Sequence, residues 1–220
     1  MEERSSEPME MYIQAIYRLT EAERIARTSV IAESLGVSMG AVTNTLARLE
    51  REGLVRREAY KGVKLTSEGE RIALTILRKH RLAERLLTEV LGMKWSEVHQ
   101  IACRLEHAIT DDMVGALEKL LKNPKTCPHG NPVPTAAGRI DRAGLEPLSK
   151  LAANQEGIIA SIAGERTDLL RYLASLGLVP GASVRVEEKA PFDGPLIVSI
   201  LGSRYALGKQ VASSIRVKKT

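Results

Sequence analysis

Apolar and polar positions follow two periods along this chain, one dominant in its first half and the other in its last third. Up to about residue 121 apolar residues recur every three or four positions; beyond residue 146 they alternate in short runs. The first half is therefore expected to be helical and the last third stranded. Residues 8–23, "PMEMYIQAIYRLTEAE", predict an amphipathic helix with Ile13, Ile16 and either Leu19 or Tyr12 on its apolar side. In "TSVIAESLGVSMGAVTNTLARLEREGLV", Ser29 is placed to cap a short helix ending before Gly36, and Ser38 a second ending before Gly53. Ala32, Gly36 and Val42 carry the spacing of a helix-turn-helix: a small contact residue, a turn glycine and a β-branched residue that seats the second helix.

Two strand-like runs in "LVRREAYKGVKLT" flank a glycine-containing turn, so helix, helix and hairpin predict a winged helix-turn-helix. Ser67 and Glu70 form a possible capping box for a long helix through Leu91, and a further helix is expected from about Ser96 to Leu121. "NPKTCPHGNPVPTAAGRIDRAG" then reads as a connector. After it come "EGIIASIA", "SVRVEEKA", "PLIVSIL", "RYALG" and "SIRVKK", interrupted by one helix, "DLLRYLASLG". Short strands at this spacing predict a small barrel. The expected organisation is mainly α with a β C-terminal part. Residues 1–72 form the winged helix-turn-helix, 73–136 a helical domain, 137–146 a linker and 147–220 the barrel.

Composition narrows the class. Hydrophobic residues make up 44% and charged residues 27% of the 220, which describes a globular chain. No apolar run approaches the roughly 20 residues of a membrane span, and the polar, acidic N-terminus "MEERSSEPME" does not read as a signal peptide. Two cysteines make a poor disulfide framework, so a reducing cytoplasm is expected. The net charge of +5 permits a nucleic-acid partner, and its distribution is more telling. Residues 24–64 carry eight Lys or Arg against four Glu, whereas residues 1–23 carry two against six.

The rarest polar side chains are crowded. "VHQIACRLEH" holds two of the four histidines and one of the two cysteines. On a helix, His99, Cys103, Glu106 and His107 fall within about 100° of one face. His80 and Glu84 in "HRLAER" form another i, i+4 pair. Imidazole, thiolate and carboxylate are ligands of borderline transition metals. Taken singly, each residue also reads as ordinary: a satisfied helical histidine, a small core cysteine, a solvated acid. Cys127 and His129 in "CPHG" make a weaker case, because they lie in the connector.

"EMY" at residues 10–12, "RKHRLAERLLT" at 78–88 and "VHQIACRLEH" together resemble the diphtheria toxin repressor family of iron-dependent regulators. The resemblance covers nearly the whole chain. "LGLVPGASVRV" and "GSRYALG" resemble the SH3-like domain shared with the ferrous-iron transport A family. The resemblance implies two metal sites per subunit, a homodimer built on the helical domain, and binding to double-stranded DNA at a palindromic operator. By motif, Met11, Cys103, Glu106 and His107 fall at the primary site, and His80, Glu84 and His99 at the ancillary site. Some relatives add an acid and an amide from the SH3-like domain. Here Ser161 and Gly164 stand near those places, with Glu165 or Asp168 as candidates to replace them. The soft donors Met11 and Cys103 favour Fe(II), Co(II) or Ni(II) over Mn(II), whose sensors in this family carry carboxylates at both places. Fe(II) is the expected cofactor, with Ni, Co, Mn or Zn able to substitute.

Such recognition helices enter the major groove N-terminus first. Ser38, Ala41, Thr43, Asn44 and Thr45 are expected to face the duplex, and Asn44 to read an adenine edge. Arg27, Arg48, Arg51 and Lys61 are expected on phosphates, unless Arg48 and Arg51 merely pair with Glu52 or Glu58. The function expected is that of a metal-activated repressor, not an enzyme, with no membrane and no small-molecule substrate. Three alternatives stand beside it: a manganese-responsive regulator of the same family; a metallo-hydrolase, which would need an open coordination position and a general base; and a small-molecule-sensing winged helix whose His and Cys are core.

Overall fold

A computed structural model of the chain describes residues 7–21, 25–58, 62–140, 144–164 and 166–220. Lys61 and Glu165, two of the candidate residues, lie outside the described residues. The chain divides into two compact units, one of residues 1–79 with 134–139, the other of residues 80–133 with 140–220.

In the first unit, α1 (Glu7–Glu21) buries far more than one stripe: Met9, Tyr12, Ile13, Ile16, Tyr17 and Leu19 are all in the core. α2 (Thr28–Leu35) and α3 (Met39–Arg51) pack on it as a helix-turn-helix. Gly36 closes α2 in the left-handed conformation at φ 66°, which a side-chain-bearing residue enters only with strain. Its N–H then reaches back to the carbonyls of Ala32 and Glu33. Ser29 does not cap α2; the helix begins at Thr28, with Arg27 at the capping position and no side-chain cap. Ser38 does cap α3, its Oγ accepting from the N–H of Ala41 at 3.2 Å, a contact worth about 1 kcal/mol. Val42, Leu46 and Leu49 bury the inner face of α3. β1 (Val55–Glu58) and β2 (Gly62–Leu65) form the antiparallel wing.

The long helix α4 (Ser67–Arg85) starts one residue earlier than a Ser67–Glu70 capping box requires. Thr66 is the cap: its Oγ1 accepts from the N–H of Gly69 at 3.2 Å and donates to the Gly53 carbonyl at 2.7 Å. A π-helical turn (Leu86–Val90) follows. The single helix expected from Ser96 to Leu121 is in fact two, α5 (His99–Leu105) and α6 (Asp111–Leu120). Thr110 restarts the chain as the N-cap of α6, its side chain accepting from the N–H of Met113. Glu106 and His107 therefore stand on the turn that ends α5, beyond the helix proper. Leu82, Leu87, Val98, Ala102, Ile109, Leu117 and Leu121 form the core of this helical part.

The C-terminal part is a six-stranded antiparallel sheet in the order β3-β8-β4-β5-β6-β7. Its strands are β3 (Leu145–Pro147), β4 (Glu156–Ile162), β5 (Ser183–Lys189), β6 (Leu196–Ile200), β7 (Ser203–Leu207) and β8 (Ile215–Lys219), with α7 (Thr167–Ser175) and α8 (Lys209–Ser214) between them. The inward residues of β4, β5, β6, β7 and β8 meet Leu170 and Leu173 of α7 in one apolar cluster. β3 and α8 carry too little periodicity to be seen in the sequence.

Candidate metal centre and DNA-binding face

α4 projects His80 and Glu84 from one face, and both are fully buried. Burying a carboxylate is unfavourable unless it is paired or coordinates a metal. Glu84 sits among imidazoles: its Oε1 lies 3.1 Å from His80 Nε2, 3.3 Å from His99 Nδ1 and 3.3 Å from His129 Nδ1. His80 Nδ1 in turn lies 2.6 Å from Oε2 of buried Glu106, and His107 Nε2 lies 3.5 Å from Oε1 of the same carboxylate. His99 Nε2 points at Cys103 Sγ, 3.7 Å away.

Two compact triads of potential ligands result. His80, His99 and Cys103 form one, and Glu84, Cys127 and His129 the other; within each, the ligand atoms lie within 4.8 Å of one another. Three of the residues expected at the ancillary site, His80, Glu84 and His99, are thus brought together; of those expected at the primary site, Cys103 meets His99, while Glu106 lies against His80 and His107. The two sets are not separate, because His80 touches both Glu84 and Glu106. Met11, exposed on α1, belongs to the other compact unit. Asp168 is exposed, its carboxylate engaged by Arg166, and it is in neither triad.

Cys127 and His129 are the residues that sequence reasoning undervalued. Both are buried in what reads as a connector. The signal was present in the pattern itself: two metal-ligand side chains, separated by a single proline, within a segment rich in Pro, Gly and small residues. Their geometry suits a cation. His129 Nε2 lies 2.7 Å from the Trp95 carbonyl, which can only accept, so Nε2 carries the hydrogen. In a neutral imidazole Nδ1 then holds the lone pair, and Nδ1 faces Glu84 and the Cys127 sulfur, the latter at 3.8 Å. A carbonyl behind the distal nitrogen is the usual support of a metal-ligating histidine.

The electrostatics point the same way. Burial alone pushes the Cys103 thiol up. The hydrogen bonds and charge of His80 and His99 outweigh it and bring the thiol from 9.0 down to about 6. Cys103 is thereby prepared as thiolate near neutral pH, the form that binds metal.

On α3, Ser38, Ala41, Thr43 and Asn44 are exposed and Thr45 half-buried. The hydroxyls of Thr43 and Thr45 donate to the carbonyls of Met39 and Ala41 in their own helix, so Asn44 is left to offer both donor and acceptor outward. Met39 and Val37, large apolar side chains exposed at the same helix start, were not anticipated as part of this face. Arg27 and Arg51 are exposed; Arg48 pairs with Glu52 at 2.9 Å on the surface.

Comparison with known proteins agrees with these features. Residues 5–63 match the iron dependent repressor N-terminal DNA binding domain, 66–135 the iron dependent repressor metal binding and dimerisation domain, and 146–219 the FeoA domain. The chain is 37% identical over 224 residues to the iron-dependent repressor IdeR of Mycobacterium tuberculosis, with 96% of each chain covered. It is 33% identical over 220 residues to the diphtheria toxin repressor of Corynebacterium diphtheriae, again with 96% of each covered. Among solved structures, a manganese-dependent transcriptional repressor in complex with manganese matches at 32% identity, TM-score 0.87, over 96% of this chain and all of the other. The crystal structure of T. acidophilum IdeR matches at 27% identity, TM-score 0.84, over the whole of both chains. The chain belongs to the iron-dependent repressor family of metal-dependent, DNA-binding transcriptional regulators.

Proposed function

We propose that this protein is an Fe(II)-activated transcriptional repressor that acts as a homodimer on a palindromic operator in the cytoplasm, without catalytic activity. One observation carries the reading: a buried set of imidazoles, carboxylates and thiols converges on α4, in a chain whose other unit is a winged helix-turn-helix. Met11, Cys103, Glu106 and His107 would hold the activating ion, and Glu84, His99, Cys127 and His129 the second, with His80 between them. A divalent ion supplies the positive charge that lets buried carboxylate and thiolate approach one another. Drawing Met11 of α1 to the donors of the helical domain would fix the spacing of two recognition helices in a dimer.

Two thiols among the donors favour Fe(II) over Mn(II). The second reading, a manganese-responsive regulator, is favoured by the likeness to the manganese-bound structure. For the dimer, Val90, Leu91, Met113 and Leu120 supply an exposed apolar face, while Leu87, Leu117 and Leu121 belong to the core and Leu86 packs beside it. Asn44 would read base edges, and Arg27, Arg48, Arg51 and Lys61 would neutralise phosphates. The test is operator binding titrated with Fe(II) and with Mn(II), anaerobically and at one salt concentration. Activation at lower Fe(II) than Mn(II) is expected. Equal affinity with and without metal would refute the mechanism, and activation by Mn(II) at the lower concentration would favour the second reading.

A further inference from the structure

β4 is paired on one edge by β8 along its length, but β5 covers its other edge only at Glu156, Gly157 and Ile158. Ile159 is then satisfied by the loop before β5, through Ala182 O and Gly181 N. Ile162, at the end of the strand, presents an N–H and a carbonyl that must also find partners. The partners come from the "CPHGN" segment. The Ile162 N–H donates to the His129 carbonyl at 2.9 Å, and the Asn131 side-chain amide donates to the Ile162 carbonyl at 3.0 Å. The asparagine thus replaces the main chain of an absent neighbouring strand.

The approach is close because residue 130 is glycine. A Cβ there would overlap the Ala160 carbonyl oxygen and lie 2.9 Å from the Ser161 Cα, and φ is +81° besides. The same segment is held from the opposite side by α4. Arg85 donates to the Thr126 carbonyl at 2.6 Å and to the Thr126 Oγ1 at 3.0 Å, and Arg81 donates to the Pro132 carbonyl. Between these two anchorages lie Cys127 and His129.

We infer that Gly130 and Asn131 are positioning residues of the Glu84–Cys127–His129 metal pocket. Through them the SH3-like domain holds the two connector ligands against α4, using main-chain and amide hydrogen bonds in place of a carboxylate ligand. The inference rests on the metal-site reading above. It has a reciprocal consequence: an ion that draws Cys127 and His129 toward Glu84 must also tighten the docking of β4. Both domains then share one binding free energy.

Co(II) is the probe, because a thiolate ligand gives it a near-ultraviolet charge-transfer band. In full-length protein carrying Cys103→Ser, the remaining band reports Cys127. Asn131→Ala and Asn131→Asp, which both lack the amide donor, are expected to weaken Co(II) about ten- to a hundredfold and to lower the band. In the Cys103→Ser parent, Co(II) should slow hydrogen exchange at the Ile162 amide more than at Ile159; in Asn131→Ala that protection should vanish. Gly130→Ala should do the same more severely, and if it does not fold, the Asn131 variants decide the matter. A band and affinity within twofold of the parent in Asn131→Ala would overturn the inference while leaving the pocket intact. A spectrum unaltered by Cys127→Ala would instead overturn the pocket, and the inference with it.

Discussion

The metal-donor cluster and the recognition face are built on opposite principles. In the cluster, each side chain has several partners: His80 meets Glu84, His99 and Glu106, and the His129 ring meets Glu84, Cys127 and the Trp95 carbonyl while its own main-chain carbonyl accepts from the β4 edge. On α3, the outward side chains touch little beyond their own helix. A sensor must discriminate among ions of similar size by ligand type and geometry, which requires pre-positioned donors. A DNA-reading helix meets its partner only in the complex, so its side chains remain in water until then. Substitutions should therefore propagate in the first region and stay local in the second.

The largest expected effect breaks the cluster at its junction. His80→Ala should reduce both metal equivalents and abolish metal-activated DNA binding, because His80 lies against Glu84 and Glu106 alike. Cys127→Ala should lose one equivalent and keep partial activation. Metal stoichiometry measured beside DNA affinity checks both; loss of one metal in each variant with equal defects would mean that the two donor sets are independent.

On the recognition face the effects should be smaller and separable. Asn44→Ala should cost about 1–3 kcal/mol of specific binding, and Met39→Ala about 1 kcal/mol if its side chain meets a thymine methyl, with metal content unchanged. Fluorescence anisotropy at fixed salt, with metal analysis of the same samples, measures this. A change in metal content in either variant would show that substitutions on this face do not stay local.

That contrast also explains what was legible in the sequence. Ser38, Gly36 and the wing glycine act over three or four residues, and their roles could be read from local spacing. The break between α5 and α6 was harder. Apolar periodicity continues through Ile101, Leu105 and Ile109, and only Thr110 followed by two aspartates marks the restart. The burial of Cys127 and His129 was beyond local rules altogether, since it depends on Glu84, Trp95 and Ile162, all more than 30 residues away in the chain. Yet the donor types themselves were readable, because chemistry is a property of residues and does not wait for the fold.

A pH titration sharpens the comparison further. The Cys103 thiol is depressed to about 6 from 9.0, so its contribution to stability is complete above the unfolded value and is lost as pH falls through about 6. Metal affinity should fall in the same direction, because protons compete for the thiolate. Alkylation of metal-free protein at Cys103 should be half-maximal near pH 6; a midpoint near 9.0 would show that His80 and His99 do not act on it.

The smallest expected effect lies at Arg48. Its pair with Glu52 is exposed at 2.9 Å, and such i, i+4 pairs are worth about 0.3–0.5 kcal/mol. Glu52→Gln should leave thermal stability almost unchanged and raise DNA affinity by about twofold at low salt, as the freed guanidinium turns to phosphate. A loss of affinity would show that Glu52 positions Arg48 for the duplex.

Asn131 bears on how long the molecule keeps its shape. Asparagines age by cyclisation, when the nitrogen of the following residue attacks the side-chain amide and leaves aspartate behind. The residue after Asn131 is Pro132, whose nitrogen carries no hydrogen and cannot complete that ring closure. An aspartate there would set a carboxylate acceptor against the Ile162 carbonyl where a donor is required. The proline thus makes the junction between the metal pocket and the C-terminal sheet durable against the slow chemistry to which other asparagines succumb.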